Sequence, residues 1–539
     1  MSMTFNLLSI IPSVNISKTI LFQLLRSTIA AFTGYSEVRF VQALSIYMDS
    51  VDRNAPTGIY SDTSQTKDGS QAISLTPKHS LVPFWTLFTS LLSAGMFHAS
   101  PALLPSATVM QILMLSYSYY LRGKESKAVM LGLVAVLGTG WPFCALLWVP
   151  MGFKILLDGL LNTRNPAIDG SGGIRVSPKH VLRIVGRTIQ HALIIQLAVS
   201  SIDYYYYGDF VFPTFNIIKY NALSDGDELY GVEDMIFYVR NLILNWNGAF
   251  ILALLSLLPN ISWDEKNNNR IILVPMIIWV FILFPRPHKE ERFLFPIYPL
   301  ISYGCALTLE IILDPLIPNL FKPPRNCIGT DVISSFVSWK QGLSAKIGTI
   351  ILLGIGSISI LRSMALSNYY TAPLSLYQHL HDHLATLTNE DENITVCVGG
   401  EWHRFSSSFF MPYSTTTLEF LPSRFKGQLP AQFLPNLNVL SHDVPFNDQN
   451  KEEPARYIEG GVASCNYLVE LMLEEREDEP ECVEHMKKDK KGGKYWDEVY
   501  STPFLDAERT GFLDRVLYLP FRDEDKRAYA KYSLFRRTD

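Results

Sequence analysis

The chain has 539 residues, of which 48% are hydrophobic and 18% are charged, and its mean hydropathy is +0.13. This composition is too apolar for an ordinary soluble protein of this length and predicts a polytopic α-helical membrane protein. The net charge of −5, without a long run of Lys or Arg, excludes a nucleic-acid-binding protein. The six cysteines form no CxxC pair and have no nearby His at zinc-ligand spacing, so neither a metal site nor a disulfide framework is expected.

Apolar stretches that could cross a bilayer occur along the chain as far as residue 363. They lie at residues 17–34, 81–97, 105–121, 128–157, 188–202, 246–259, 271–284, 293–313 and 347–363. Several are shorter than the ~20 residues that an upright helix needs, so their bounds are approximate. The stretch at 128–157 is interrupted by Gly140, Trp141 and Pro142, which predicts two shortened spans or a re-entrant turn.

The end of the apolar stretches near residue 365 predicts two domains. Residues 1–365 would form a multi-span membrane domain. Residues 366–539 mix short apolar runs, aromatic residues and dense charge, as a soluble domain with its own core does. We therefore expect a mixed α/β domain at the C-terminus.

Loop charge predicts which side of the membrane each segment faces, because short cytosolic loops carry an excess of Lys and Arg. The segment 158–187 is basic and is assigned to the cytosol, whereas 203–245 carries seven carboxylates against one Lys and one Arg and is assigned to the luminal or external side. Counting spans onward puts the segment 285–292 on the same luminal face, the basic segment 314–346 in the cytosol and the C-terminal domain in the lumen. Asn393 begins an Asn-Ile-Thr sequon there and is a candidate glycosylation site.

A cluster of charged residues separates two of the apolar stretches: His288, Lys289, Glu290, Glu291 and Arg292. Since one charge at the centre of a bilayer costs about 2.5–3.5 kcal/mol on insertion scales, the cluster must lie at a membrane surface. An ordinary solvated loop that joins two spans would lie there too. Glu290 and Glu291 are adjacent and cannot both point into one pocket, so one of them could serve only as an ion-pair partner.

The sequence HKEERFLFPIYPL at 288–300 resembles the signature of the endoplasmic reticulum mannosyltransferases that use dolichyl-phosphate-mannose. The resemblance covers nearly the whole chain from about residue 17, and it is strongest to the α-1,2 branch of lipid-linked oligosaccharide assembly. Further similar blocks, in the family's order, are GMFHASPALLPS (95–106), GWPFCALLWVP (140–150), DYYYYG (203–208), FPTFNIIKYN (212–221), ELYGVED (228–234), VCVGGEWHRFSSSFFMP (396–412), FKGQLP (425–430) and NDQNKEEPARYI (447–458). The last three distinguish the α-1,2 branch from the glycolipid-anchor mannosyltransferases.

The resemblance implies a GT-C-type glycosyltransferase that moves mannose from dolichyl-phosphate-mannose to a mannose 2-hydroxyl of a dolichyl-pyrophosphate-linked oligosaccharide. It implies a multi-pass protein of the endoplasmic reticulum membrane with its active site facing the lumen, and its partners are the lipid-linked donor and acceptor. Because the donor is β-linked and the product α-linked, the displacement should invert and needs one carboxylate as general base. Phosphate is a good leaving group, so no cofactor and no metal are expected. The oligomeric state is left open.

Given this donor, cations at the membrane surface are expected to bind its phosphate. Arg292 is the first candidate because its planar guanidinium suits two phosphate oxygens, and Lys289 and His288 follow. A direct role in substrate binding is also open to one of the two adjacent glutamates.

The candidate bases within the chain are Asp203, Glu290 and Glu291. Asp203 directly follows the span 188–202 and precedes four tyrosines, although an aspartate and tyrosines in this position could equally mark the membrane surface. The candidate contacts to the acceptor or the sugar are Tyr206, Glu228 and Tyr230. His98 is assigned a structural role.

Members of the family begin with a span and a luminal loop that carries an acidic motif of the type DExFNYWEP, which is thought to supply the base. This chain contains no such motif. We therefore expect the native transcript to encode an upstream span and acidic loop, and the base to lie in that loop. The alternatives are a catalytically silent truncated form or membrane scaffold and, with less support, a transporter or a glycolipid-anchor mannosyltransferase.

Overall fold

The computed structural model describes fourteen parts of the chain. They are residues 18–54, 80–161, 178–207, 210, 212–223, 231–258, 270–320, 330–387, 393–403, 408–411, 415–430, 450–473, 495–522 and 524–538. In these parts the chain forms two compact units, a helical unit within 29–360 and a second unit that combines residues 18–28 with residues from 361 onward. The division predicted at residue 365 lies inside a helix, and the domain assignment stays a prediction.

Helices account for nearly all of the described helical unit. In chain order the helices are α1 (Lys18–Asn54), α2 (Val82–Leu92), α3 (Ala94–Ala99), α4 (Pro105–Leu121), α5 (Glu125–Leu133), α6 (Val149–Leu161), α7 (Pro178–Tyr207), α8 (Pro213–Leu223), α9 (Ile236–Leu255), α10 (Arg270–Leu283), α11 (Tyr298–Leu320) and α12 (Thr330–Tyr369). The helix α11 is largely buried and packs against α2 and α9. The helices therefore surround one apolar core, and α11 lies inside it.

Two helical stretches in the described residues are long and apolar enough to cross a membrane, Glu291–Leu313 and Gly342–Tyr369. Two shorter apolar helices, Val82–Leu92 and Ile271–Leu283, accompany them. Large apolar side chains are exposed along α7 and α12, for example Leu182, Ile189, Leu193, Leu197, Ile350, Leu353 and Ile360. Exposed apolar rows of this kind are suited to lipid, because a helix that meets water carries polar residues on its outer face. The number of spans stays a prediction.

The predicted interruption of the stretch 128–157 is confirmed. The helix α5 continues as a π-helical turn at Val134–Gly138, and a 3₁₀ helix at Pro142–Leu147 leads into α6. Gly140 lies between the two with a φ of +65°, a left-handed conformation that favours glycine. The sequence therefore breaks the helix at the residues that its Gly-Trp-Pro composition indicates.

The segments 203–245 and 314–346, which were interpreted as loops, both contain helical residues. The first segment contains α8 and the start of α9, and the second contains the end of α11 and the start of α12. In α8 the apolar residues Phe215 and Ile218 are exposed beside polar neighbours. A short helix that mixes apolar and polar residues contains no continuous apolar stretch, so a search for such stretches does not detect it.

The second unit contains a mixed five-stranded sheet. Its strands are β1 (Ile394–Val398), β2 (Thr416–Phe420), β3 (Tyr467–Met472), β4 (Tyr495–Leu505) and β5 (Tyr529–Thr538), in the order β2-β1-β3-β5-β4. Strand β1 pairs in parallel with β2 and β3, whereas β5 pairs antiparallel with β3 and β4. A helix at Ala372–Leu387, α13, buries Leu376 and Leu380 in a core shared with the sheet. The expected mixed α/β architecture is confirmed.

A disulfide joins Cys397 in β1 to Cys465, two residues before β3, which corrects the expectation that no disulfide would form. The two cysteines are 68 residues apart in sequence, and their Cα atoms are 5.8 Å apart. The parallel register of β1 and β3 pairs Cys397 with Leu468 and so brings Cys465 within reach. Sequence spacing could not reveal this pair because the strand pairing creates it.

Candidate active site

The charged cluster lies between α10 and the buried helix α11. After α10 ends, the chain turns through residues 284–290 and enters a 3₁₀ helix at Glu291–Ile297 that leads directly into α11. The indole nitrogen of Trp279 donates a hydrogen bond to the carbonyl of Phe293 at 2.8 Å, and Trp141 packs against both Trp279 and Phe293. The charged residues are therefore attached to a well-packed part of the unit.

Lys289 is buried, with only 6% of its surface exposed. Its Nζ donates to the carbonyl oxygen of Glu233 at 2.7 Å and to the carbonyl oxygen of Arg286. The amide of Glu233 in turn donates to the carbonyl of Pro287 at 3.0 Å. These bonds join the turn to the segment before α9. The proposed role of Lys289 in phosphate binding stays a prediction, and the two carbonyls take up two of the three hydrogen-bond donors of its ammonium group.

Glu290 orients Arg292. One carboxylate oxygen lies 2.6 Å from Nε of Arg292, and the other accepts a hydrogen bond from a terminal guanidinium nitrogen at 2.6 Å. The same carboxylate lies 3.1 Å from Nε2 of His288, whose Nδ1 is 3.1 Å from the carbonyl of Gly231. A two-point contact between arginine and a carboxylate fixes the guanidinium plane. The side chain of Arg292 is nevertheless 43% exposed, so a substrate can reach it.

Glu291 has a different environment from Glu290. Its Oε1 accepts a hydrogen bond from Nδ2 of Asn245 at 2.7 Å and lies 2.6 Å from Nε2 of His98. Asn245 belongs to α9 and is 1% exposed, and His98 belongs to α3. The two adjacent carboxylates thus contact different groups, as their adjacency in the sequence predicts. His98 was assigned a structural role and Asn245 was not among the predicted site residues, although an asparagine within an apolar helix is itself a signal of a buried polar contact.

The remaining predicted residues lie elsewhere in the chain. Asp203 is in α7 and is half-buried, and its Oδ2 has no hydrogen-bond partner among the described residues. Tyr206 belongs to the same helix, but its side chain lies outside the described residues, as do Glu228 and Tyr230 entirely. Their roles stay predictions.

An apolar groove lies close to the charged cluster along the chain. It has a volume of about 190 Å³ and is formed by α9, α10, the 3₁₀ helix and α11. Its lining includes Leu242, Ala253, Ile277, Phe281, Ile297 and Ile301. Phe281 is 79% exposed, so the groove opens toward the outside of the unit. Ile297, which lines the groove, is the last residue of the 3₁₀ helix that begins at Glu291. At a rise of ~2 Å per residue, Ile297 therefore lies within about 12 Å of Glu291 in the charged cluster.

Within the parts of the chain that the structure describes, no group of three or more His, Cys, Asp or Glu side chains is arranged to hold a metal ion. The expected independence of metal stays a prediction.

The chain belongs to the Alg9-like mannosyltransferase family, since residues 2–412 match the model of that family. Among curated relatives, the α-1,2-mannosyltransferase ALG9 of Homo sapiens is 36% identical over 466 residues, which cover 83% of this chain and 69% of that protein. The α-1,2-mannosyltransferase ALG9 of Arabidopsis thaliana is 31% identical over 451 residues, or 83% of this chain and 70% of that protein. The resemblance found in the sequence is thereby confirmed, and the chain is a mannosyltransferase of this family.

Solved structures give a more distant likeness. The crystal structure of ArnT from Cupriavidus metallidurans bound to undecaprenyl phosphate matches with a TM-score of 0.40 and 11% sequence identity. The match covers 73% of this chain and 71% of that chain. A likeness of this degree adds nothing to the assignment.

Proposed function

We propose that the protein transfers mannose from dolichyl-phosphate-mannose to a mannose 2-hydroxyl of a dolichyl-pyrophosphate-linked oligosaccharide, with inversion to an α-1,2 linkage. The family assignment and the α-1,2-mannosyltransferase relatives support the reaction type. The observation that carries the proposal at the level of the site is Arg292, which is accessible, fixed by Glu290 and located at the end of an apolar helix. Neither a transporter nor a silent scaffold has a comparable observation in its favour.

The apolar groove suits the isoprenoid part of such substrates. A lipid phosphate has its charge at the membrane surface and its chain in the hydrocarbon region, so it needs a cation and an apolar surface next to each other. Arg292 supplies the cation, and the residues from Phe281 to Ile297 connect it to the groove. Charge-assisted hydrogen bonds to phosphate contribute about 1.5–3 kcal/mol each.

In the proposed reaction, the bond between the anomeric carbon and the phosphate oxygen breaks, and its electron pair stays on the phosphate. The acceptor 2-hydroxyl oxygen forms the new bond to the anomeric carbon from the opposite face, and its proton passes to a carboxylate. Arg292 offsets the charge that develops on the departing phosphate. The candidates for the base are Asp203, Glu290 and Glu291, and no cofactor is included.

We place the protein in the endoplasmic reticulum membrane, with the charged cluster and the sheet facing the lumen. The Cys397–Cys465 disulfide supports this orientation of the sheet, because disulfides persist in the oxidising lumen and are rare in the cytosol. The acidic composition of 203–245 and the basic composition of 158–187 support the same orientation.

The first test is mannosyl transfer by the purified 539-residue chain, supplied with dolichyl-phosphate-mannose and a mannose-deficient lipid-linked acceptor. Mass spectrometry should detect the gain of one hexose, and an α-1,2-specific mannosidase should remove it. Folded protein that adds no mannose would overturn the proposal for this chain.

The second test concerns the donor phosphate. Arg292→Ala should lower kcat/KM for the donor about 10- to 150-fold, which corresponds to the loss of one charge-assisted hydrogen bond. Arg292→Lys should recover only part of this loss, because lysine lacks the planar guanidinium that can contact two phosphate oxygens. Arg240→Ala is the matched control, since Arg240 is also an exposed arginine paired with a carboxylate, that of Asp234. An alanine variant at 292 with the same kcat/KM as this control would refute the role of Arg292.

A further inference from the structure

The adjacent carboxylates Glu290 and Glu291 diverge because the backbone changes conformation between them. Glu290 is extended, with φ −130° and ψ 143°, whereas Glu291 is the first residue of the 3₁₀ helix. Glu290 consequently contacts Arg292 and His288, two members of its own turn. Glu291 instead contacts residues of two other helices.

Glu291 belongs to a small cluster of polar side chains within an otherwise apolar unit. Its Oε1 lies 2.6 Å from Nε2 of His98 and accepts a hydrogen bond from Asn245 at 2.7 Å. The rings of Phe295 and Tyr298 lie beside His98, with centroids 5.6 and 6.4 Å from the imidazole centroid. Polar groups held inside a membrane unit are costly and are retained mainly where they act on a substrate or an ion. The side chain of Glu291 is still 34% exposed, so a substrate can reach it.

His98 is held rigidly by its own helix. The hydroxyl of Ser93 caps α3 by accepting a hydrogen bond from the amide of Met96 at 3.1 Å. A Cβ added to Gly95 would lie 2.5 Å from Nε1 of Trp246, so α3 packs closely against α9 next to Asn245. A side chain on an element packed this tightly is suited to orient another group, because its own position varies little.

We propose that His98 is a positioning residue, which together with Asn245 orients Glu291 so that Glu291, rather than Glu290, contacts the hydroxyl groups of the sugar substrate. This inference rests on the proposed function. It assigns the two adjacent carboxylates different roles: Glu290 orients the phosphate-binding arginine, and Glu291 recognises the sugar.

The test compares two side chains of similar size at position 98. Glutamine keeps a hydrogen-bond donor near the position of Nε2, whereas leucine fills the same space without one. We expect His98→Leu to lower kcat about 10- to 100-fold at nearly unchanged donor KM, and His98→Gln to recover most of that loss, in line with the loss of a close polar contact to a carboxylate. Thermal melting of each variant checks that the unit stays folded.

Double variants identify the group through which His98 acts. If His98 acts through Glu291, the variant His98→Leu/Glu291→Gln should be no slower than Glu291→Gln alone. The matched comparison uses the neighbouring carboxylate: in His98→Leu/Glu290→Gln the two losses should multiply, since Glu290 serves Arg292.

The outcomes distinguish this inference from the proposed function. If the wild-type chain transfers mannose but His98→Leu is as fast as His98→Gln, the histidine only fills space and the inference is overturned while the function stands. Losses at His98 and Glu291 that multiply would overturn it equally. A wild-type chain without transfer refutes the proposed function itself, and the positioning role is refuted with it.

Discussion

Removal of the Cys397–Cys465 disulfide should destabilise the second unit strongly. We would replace both cysteines by alanine in the full chain. The bond closes a loop over a sequence separation of 68 residues, and the loss of loop-closure entropy in the unfolded chain is then about 4 kcal/mol. For a unit of 150–250 residues, this corresponds to a fall in the melting temperature on the order of 10 °C.

The matched control is Cys144→Ala/Cys305→Ala, which removes two cysteines that are buried and free. That variant loses the same side-chain atoms without opening a loop. Melting of both proteins in detergent should separate them clearly, and a maleimide mass tag added to denatured wild type should label Cys397 and Cys465 only after reduction. Equal melting temperatures for the two double variants, or labelling without reductant, would refute the reasoning.

Three further predictions concern other parts of the chain. Asn393 is exposed immediately before β1, so in protein from eukaryotic cells Asn393→Gln should abolish one gel-mobility shift that PNGase F removes. Wild-type protein whose mobility PNGase F does not change would contradict the luminal orientation. The Cβ added by Gly348→Ala would lie 2.4 Å from the side chain of Trp85, so this variant should destabilise the helical unit by about 1–3 kcal/mol. Gly354→Ala on the same helix is the control, because its added Cβ has no neighbouring atom within 4 Å, and it should melt no lower than wild type. Burial, and to a smaller extent the neighbouring His379 and Arg536, lower the pKa of His383 below its ordinary 6.5. The unfolded chain therefore binds the proton more readily than the folded chain, and stability should fall as the pH drops below about 6.5. In melts at pH 5 and 7.5, His383→Gln should reduce this loss of stability, and an unchanged pH dependence would contradict the assignment.

Hydropathy located the central helices well but not the ends of the longer ones. The stretch 105–121 coincides with α4, and 271–284 differs from α10 by one residue at each end. By contrast, the stretch 17–34 covers only half of α1, which continues to Asn54. The second half of α1 contains Glu37, Arg39 and Gln42, which lower the average hydropathy although the backbone stays helical. Helix formation depends on backbone hydrogen bonds and propensity, so polar residues end an apolar stretch without ending a helix.

Contacts between distant residues could not be predicted from one sequence. Cys397 and Cys465 meet because β1 and β3 pair, and the Nζ of Lys289 reaches the carbonyl of Glu233 because the turn folds onto the segment before α9. Neither contact is indicated by the residues next to it in the sequence, because the segment between the two partners does not specify that they meet. The sequence predicted a disulfide-free protein and a phosphate-binding lysine from residue types alone, and only the tertiary structure shows the bond and the buried position of the lysine.

The difference between Glu290 and Glu291 shows where sequence reasoning ends in this site. Adjacency alone implied that the two carboxylates point apart, but it did not indicate which one faces the interior. That depends on where the 3₁₀ helix begins, and on Asn245 and His98, which are brought to Glu291 by two other helices. The proposed separation of phosphate binding from sugar recognition therefore depends on the extended backbone at Glu290, directly before the 3₁₀ helix.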